Sequence, residues 1–150
     1  MDISYRKITA ENWADILPLL QELHLDHHNM RPDVYLPTTE LHQNNYRDKF
    51  FGYGAYYGDG MVGLCWGYIH HNGRTDAVGF VEDFVVTSKF RRNGIGLKLF
   101  TLFEQECSRR GATALELLTV ADNTKAIMFY RGHGMTTLSL HLRKSLSANK

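Results

Sequence analysis

A nearly unbroken apolar run, Phe80-Val81-Glu82-Asp83-Phe84-Val85-Val86, leads through Arg91-Arg92-Asn93-Gly94-Ile95-Gly96 into a stretch whose Ile95, Leu99, Leu102, Phe103 and Cys107 fall on one stripe at helical spacing. A run this apolar does not suit an exposed edge, so it reads as an interior strand interrupted by two acids. Strand, glycine turn and amphipathic helix in succession require a sheet with helices packed on it. Arg109-Arg110-Gly111 closes the helix, with two cations suited to its C-terminal dipole and a glycine at the exit.

The rest of the chain fits around this unit. Ile3 to Ile8 alternates like a half-buried strand, and Thr9-Ala10-Glu11-Asn12 offers helix-starting residues. From Trp13, the positions Ile16, Leu17, Leu20 and Leu23 predict a helix that Pro18 either kinks or truly starts. A weaker helical region is expected around Thr39 to Lys49. Phe51 to Phe80 reads as an antiparallel meander with turns at Gly58-Asp59-Gly60 and Asn72-Gly73. Ala114 to Val120 reads as a second interior strand. Asp122-Asn123 caps a short helix over about Thr124 to Arg131, and Met135 to Leu142 alternates as a final strand. The whole of 1–150 reads as a single domain.

Composition excludes several classes. With 43% hydrophobic and 22% charged residues the chain is ordinary globular material, and at this length it needs neither disulfide nor metal to hold its fold. The sequence opens on polar residues rather than a secretory leader, and two cysteines allow at most one bridge, so reduced thiols and a cytoplasmic location are expected. No apolar run approaches a membrane span. A net charge of +1 gives no basis for nucleic-acid binding. Charge is nonetheless uneven: residues 1–60 carry nine acids against five Lys/Arg, and residues 61–150 seven against twelve. An anion site is therefore sought in the second half.

The glycine turn suits that role. A helix N-terminus presents unpaired N–H groups and about half a positive charge, and glycines let a phosphate approach them. A Cβ at Gly94 or Gly96 would hold the anion away, while Arg91 and Arg92 would add charge-assisted contacts. A Rossmann turn would place a third glycine where Leu99 stands, and the Gly-Lys-Ser/Thr of a P-loop is absent. By itself a Gly-x-Gly is equally a packing turn.

A second segment follows in order, Asn123-x-x-Ala126-x-x-Phe129-Tyr130-x-x-x-Gly134-Met135. Together the two segments resemble the acetyl-CoA-binding motifs of the GNAT superfamily of N-acetyltransferases, and nearly all of the chain can be laid on that fold. The resemblance implies an α+β domain with a mixed, mostly antiparallel sheet of six or seven strands and helices on both faces. It implies acetyl-CoA as cosubstrate; no metal is expected, on the residue grounds given below. Phe84, Val85 and Val86 would stand beside the cosubstrate, Val85 and Val86 offering backbone groups to the pantetheine arm and an N–H to the thioester oxygen. Arg91, Arg92, Asn93, Gly94, Ile95, Gly96 and Leu97 would wrap the pyrophosphate, mainly by backbone amides. Asn123 and Ala126 would line the other side, Phe129 would pack below, and Tyr130 would stand near the sulfur. Met135 stands where the family pattern often has Phe.

The reaction needs a neutral amine, yet an alkyl amine of pKa about 10.4 is mostly protonated near neutrality. Glu82 and Asp83 lie on the central strand, and alternation is expected to send them to opposite faces. Glu82-Asp83-Phe84 is similar to diamine (spermidine/spermine) acetyltransferases, which implies Glu82 as the proton acceptor. Tyr130, a phenol of pKa about 10, would serve the leaving thiolate. Structural alternatives stand beside each role: Glu82 pairs with Arg91 or Lys89, Tyr130 merely packs, and Tyr53, Tyr56, Tyr57 and Trp66 fill a sheet face rather than wall a pocket.

His24, His27 and His28 share a helix, but without a His-Glu-x-x-His pattern or paired cysteines they do not read as a zinc site. Cys65 and Cys107 fall at apolar positions and read as inert. The acidic front half suits a cationic acceptor such as a polyamine, an aminoglycoside or a lysine-like amine. A protein N-terminus or lysine is the alternative acceptor, and a non-catalytic acetyl-CoA sensor the alternative class. The short C-terminal strand fits either a truncated hairpin or a homodimer that completes the sheet across subunits.

Overall fold

The computed structural model describes residues 1–37, 49–71, 73 and 76–147. The helical region expected around Thr39 to Lys49 falls outside them except for its last residue, as does Asn72 of the second turn. The contacts of the chain divide it into two compact units, Met1–Leu118 and Thr119–Lys150.

The first unit carries one sheet of five strands in the order β1 (Ile3–Lys7), β2 (Phe51–Tyr57), β3 (Gly60–His70), β4 (Val78–Val86) and β5 (Ala114–Leu117). β1 to β4 pair antiparallel, and β5 pairs parallel with β4. The central-strand expectation for Phe80 to Val86 is met in part: β4 lies between β3 and β5, with pairing on both sides as far as Val81 and on the β3 side alone beyond it. Gly58, at φ +61, opens the two-residue turn between Tyr57 and Gly60.

Helix α1 (Trp13–Met30) follows a short 3-10 turn, Ala10–Asn12, capped by Thr9. Pro18 lies inside α1, so the helix starts before it rather than at it. Ile16, Leu19 and Leu20 pack on Leu64, Trp66 and Val85 on one face of the sheet. Helix α2 (Ile95–Arg109) covers the other face, with Leu99, Phe103 and Cys107 fully buried. Two glycines let α2 approach. A Cβ on Gly63 would sit 2.9 Å from Leu99, and one on Gly79 would sit 2.5 Å from the Cys107 sulfur.

Of the sheet aromatics, Tyr56 and Trp66 are core, at 2% and 4% exposure, whereas Tyr57 is exposed. The Tyr56 hydroxyl donates to Asp15 at 3.0 Å and accepts from Asn12 at 3.1 Å. Burial and the Asp15 carboxylate push its pKa up to about 12.

The expectation of six or seven strands is corrected to five among the described residues. In the second unit, helix α3 (Thr124–Gly132) is followed by residues 135–147 without helix or strand. Alternation shows that one side of a segment is apolar, but a strand also needs a ladder partner. Residues 135–142 join no ladder among the described residues, and Leu138, Leu140 and Leu142 stand exposed.

Candidate active site

Between β4 and α2 the chain makes a 3-10 turn at Ser88–Phe90 and then two left-handed residues, Arg92 at φ 65 and Gly94 at φ 77. Glycine takes the second of these without the penalty a side chain would carry. The first α-helical bond runs from the Lys98 N–H to the Gly94 carbonyl at 3.1 Å. The amides of Ile95, Gly96 and Leu97 therefore precede the helical ladder, where a helix attracts anions. Asn93 folds the turn by donating to the carbonyls of Phe90 and Arg91 at 3.2 and 3.1 Å. At Gly96 a Cβ would come 3.3 Å from the Phe84 ring, so the missing side chain also seats the helix start on β4.

Arg91 makes contacts within the fold that its expected place at the pyrophosphate does not include. Its Nε donates to the Val86 carbonyl at 2.7 Å, and its Nη2 donates to Asp26 of α1 at 3.2 Å. For the Arg91 half of the structural alternative for Glu82, the acids paired with Arg91 are Asp26 and Glu22. Arg92 is exposed.

The two acids of β4 sit at an irregularity. Trp66 pairs with Asp83 and Gly67 with Val81, which leaves Glu82 as an extra residue opposite the step between them. The expected alternation therefore fails here. The bulge lets neighbouring acids share one environment, and the Asp83 charge raises the Glu82 pKa in addition to burial, against a lowering effect of Lys49. Asp83 is 9% exposed and accepts a hydrogen bond from the Trp66 indole at 2.7 Å. Burial drives its pKa up to about 6, although the indole opposes the rise. Glu82 is the exposed member of the pair.

Pairing between β4 and β5 ends at Val81 with Leu117. β5 is thus shorter than the expected Ala114 to Val120, and Glu82, Phe84, Val85 and Val86 run past its last partner. Beyond that point the β4 edge toward β5 has backbone groups without a β5 ladder. The open edge leads directly into the glycine turn.

Sequence reasoning missed Lys49, Phe50 and Tyr68. The Lys49 ammonium lies 4.4 Å from the centre of the Tyr68 ring, and Phe50 stacks on the same ring at 5.4 Å. Phe50 also meets Trp66 edge-on. Tyr68 and Lys49 both interact with the Glu82 charge. The pairing register, which sets Tyr68 beside Phe80 and Trp66 beside Asp83, brings Tyr68 to the acids.

Asn123, Ala126, Phe129 and Tyr130 belong to the second unit. The Asn123 side chain accepts from the Ala126 N–H at 3.2 Å, so this pair of the motif is the N-cap of α3. Phe129 and Tyr130 are half-buried, and Phe129 packs on His133 at 4.3 Å between ring centres. The Tyr130 carbonyl accepts from the N–H groups of His133 and Met135, closing the helix.

Both cysteines are free and buried. Burial pushes the Cys65 thiol well up and Cys107 up to about 12, which leaves neither as a thiolate. The imidazoles of His24 and His27 are held below their ordinary pKa, chiefly by burial. Among the described residues no group of three or more His, Cys, Asp or Glu is placed to hold a metal, and no helix is long and apolar enough to cross a membrane.

Solved structures share this architecture. An aminoglycoside acetyltransferase, meta-AAC0020, from an uncultured soil metagenomic sample, in complex with sisomicin, is 16% identical with a TM-score of 0.75, covering 97% of each chain. A mutant of the BH1408 protein of Bacillus halodurans is 18% identical with a TM-score of 0.81, covering 98% of this chain and 100% of its own. AAC(6')-Iy, in complex with the bisubstrate analogue CoA-S-monomethyl-acetylneamine, is 18% identical with a TM-score of 0.73, covering 97% and 99%. At such identities the likeness establishes the fold. The model of the acetyltransferase (GNAT) family, whose members use acetyl-CoA, matches residues 13–135. The chain belongs to that family and is an N-acetyltransferase.

Proposed function

We propose that the chain moves the acetyl group of acetyl-CoA to a primary amine of a small cationic acceptor by direct attack in a ternary complex. The observation that carries this reading is the continuity of three features on one strand: an acid pair at a bulge, an open strand edge, and a turn whose amides precede the α2 ladder. The residues fit the cosubstrate. Amides of Arg92 to Leu97 suit a diphosphate, and the open edge of β4 at Phe84, Val85 and Val86 suits the amides of a pantetheine arm. When bound, acetyl-CoA supplies a thioester carbonyl open to attack.

The exposed Glu82 accepts the proton of the incoming ammonium. Its raised pKa places it closer to neutrality than an ordinary carboxylate, which suits a general base that must also release the proton. Asp83, buried and bonded to Trp66, acts on Glu82 through its charge. The Lys49 ammonium beside Glu82 and over Tyr68 marks surroundings that already accommodate a cation. In the second unit, Asn123, Ala126 and Phe129 are assigned to the cosubstrate, and the Tyr130 hydroxyl to protonation of the departing thiolate.

Support for a small cationic acceptor comes from the acidic balance of residues 1–60, from the resemblance of Glu82-Asp83-Phe84 to diamine acetyltransferases, and from the aminoglycoside acetyltransferases among the structural neighbours. The test is thiol release from acetyl-CoA against a panel of polyamines, aminoglycosides, lysine derivatives and peptides. Turnover is expected with the small cations. Preference for neutral or anionic amines, or for peptides, would overturn the assignment of the acceptor.

A further inference from the structure

The carboxylates that hold Arg91 also hold the segment before it. Glu22 and Asp26 stand one turn apart on α1. Asp26 accepts from Arg91 Nη2 at 3.2 Å, and one Glu22 oxygen lies 3.7 Å from the same nitrogen. The other Glu22 oxygen accepts from the Thr87 hydroxyl at 3.0 Å and from the Ser88 N–H at 3.4 Å. Arg91 in turn fixes the last carbonyl of β4 through Nε. Two acids on α1 thereby pin both ends of the corner joining β4 to the glycine turn.

We propose that Glu22 and Asp26 are positioning residues for the cosubstrate. Acting through Thr87, Ser88 and Arg91, they set the direction of the amides that follow, and so strengthen the binding of a polyanion although they are themselves negative. The inference rests on the reading that a diphosphate sits on that turn. It differs in sign from simple electrostatics. Carboxylates near a diphosphate repel it, so their neutralisation would ordinarily tighten binding. Anchored as they are, their neutralisation replaces charge-assisted bonds by weaker neutral ones, which loosens the Arg91 fork and the Ser88 turn and with them the common aim of the amides. Arg91 is likewise a positioning residue, since its guanidinium is spent on Val86 and α1.

The test compares the wild-type chain with Glu22→Gln, Asp26→Asn, their double variant, Arg91→Ala, and Arg91→Ala in the double-variant background. Coenzyme A affinity is measured by calorimetry, and turnover is measured with acetyl-CoA and with acetyl-pantetheine, which carries no diphosphate. The acid variants should bind coenzyme A about twofold to fivefold more weakly, the range for partly exposed ion pairs. KM for acetyl-CoA should rise with kcat nearly unchanged. Acetyl-pantetheine should lose nothing comparable, and adding the acid changes to Arg91→Ala should weaken binding by less than they do in the wild-type background, the remainder passing through Thr87 and Ser88.

Equal or tighter coenzyme A binding by the acid variants, with weakening only in Arg91→Ala, overturns the inference and makes the guanidinium a direct phosphate contact, leaving the cosubstrate reading intact. A parallel loss with acetyl-pantetheine also overturns it, as general damage to the fold. Absence of coenzyme A uptake by the wild-type chain overturns the inference and the cosubstrate reading together.

Discussion

Replacing Asp83 by Asn should make the protein more stable as the pH rises toward neutrality. The folded carboxyl titrates at about 6 against an unfolded value of 3.8, because burial disfavours its charge. At about 1.4 kcal/mol per pH unit, that difference amounts to about 3 kcal/mol. The sign follows from the raised pKa. The neutral carboxyl contributes stability that is whole below pH 3.8 and is lost as the pH passes through about 6. Above that, the folded chain carries a buried anion that the unfolded chain would hydrate. Asn keeps an oxygen for the Trp66 indole and never ionises, whereas Glu82 titrates in both proteins. Chemical denaturation of both proteins from pH 4 to 8 should show their stability difference shifting toward Asn by about 2–3 kcal/mol, then levelling above pH 7. The variant should also move the acid limb of kcat/KM to lower pH, since the Asp83 charge helps raise Glu82. A difference that stays flat with pH, or a wild type that gains on the variant as pH rises, would refute the reasoning.

Glu82→Gln should lower kcat by roughly a hundredfold or more with coenzyme A affinity retained, as seen in steady-state kinetics and calorimetry together. Tyr130→Phe should lower kcat by at least about tenfold while leaving coenzyme A affinity intact, and turnover indifferent to it would remove Tyr130 from proton transfer. A sensor would take up coenzyme A but show no thiol release with any amine. Gly79→Ala should cost about 1–3 kcal/mol in denaturation, because its Cβ meets Cys107 and Leu115 at under 3 Å.

What was legible in the sequence was whatever local chemistry decides. Periodicity located β4 and α2, glycines located the turns at Gly58 and Gly94, and Asn123 located the start of α3. Four features required tertiary partners and were misread or missed. Alternation carried Glu82 and Asp83 to opposite faces, but the bulge is set by how β3 pairs and not by the β4 sequence. The same logic made a strand of Met135 to Leu142, where the leucine pattern is real and the ladder partner is lacking among the described residues. The ion pairs of Arg91 were missed, because nothing local reveals that Glu22 and Asp26 face it from α1. The aromatic and cationic neighbours of Glu82 escaped notice for the same reason, since Lys49 and Tyr68 meet only in the folded sheet.

The most direct test of the account is calorimetric titration of coenzyme A into the wild-type chain and into Gly94→Ala. Gly94 holds φ +77, and a Cβ there meets no other protein atom within 4 Å, so the change strains the turn without crowding the fold. The account predicts one coenzyme A per chain and distinctly weaker uptake by the variant at about 1–2 kcal/mol lower stability. Well-folded wild-type protein that takes up no coenzyme A, or a variant that binds it equally well, would contradict the claim that the amides of this turn grip the diphosphate.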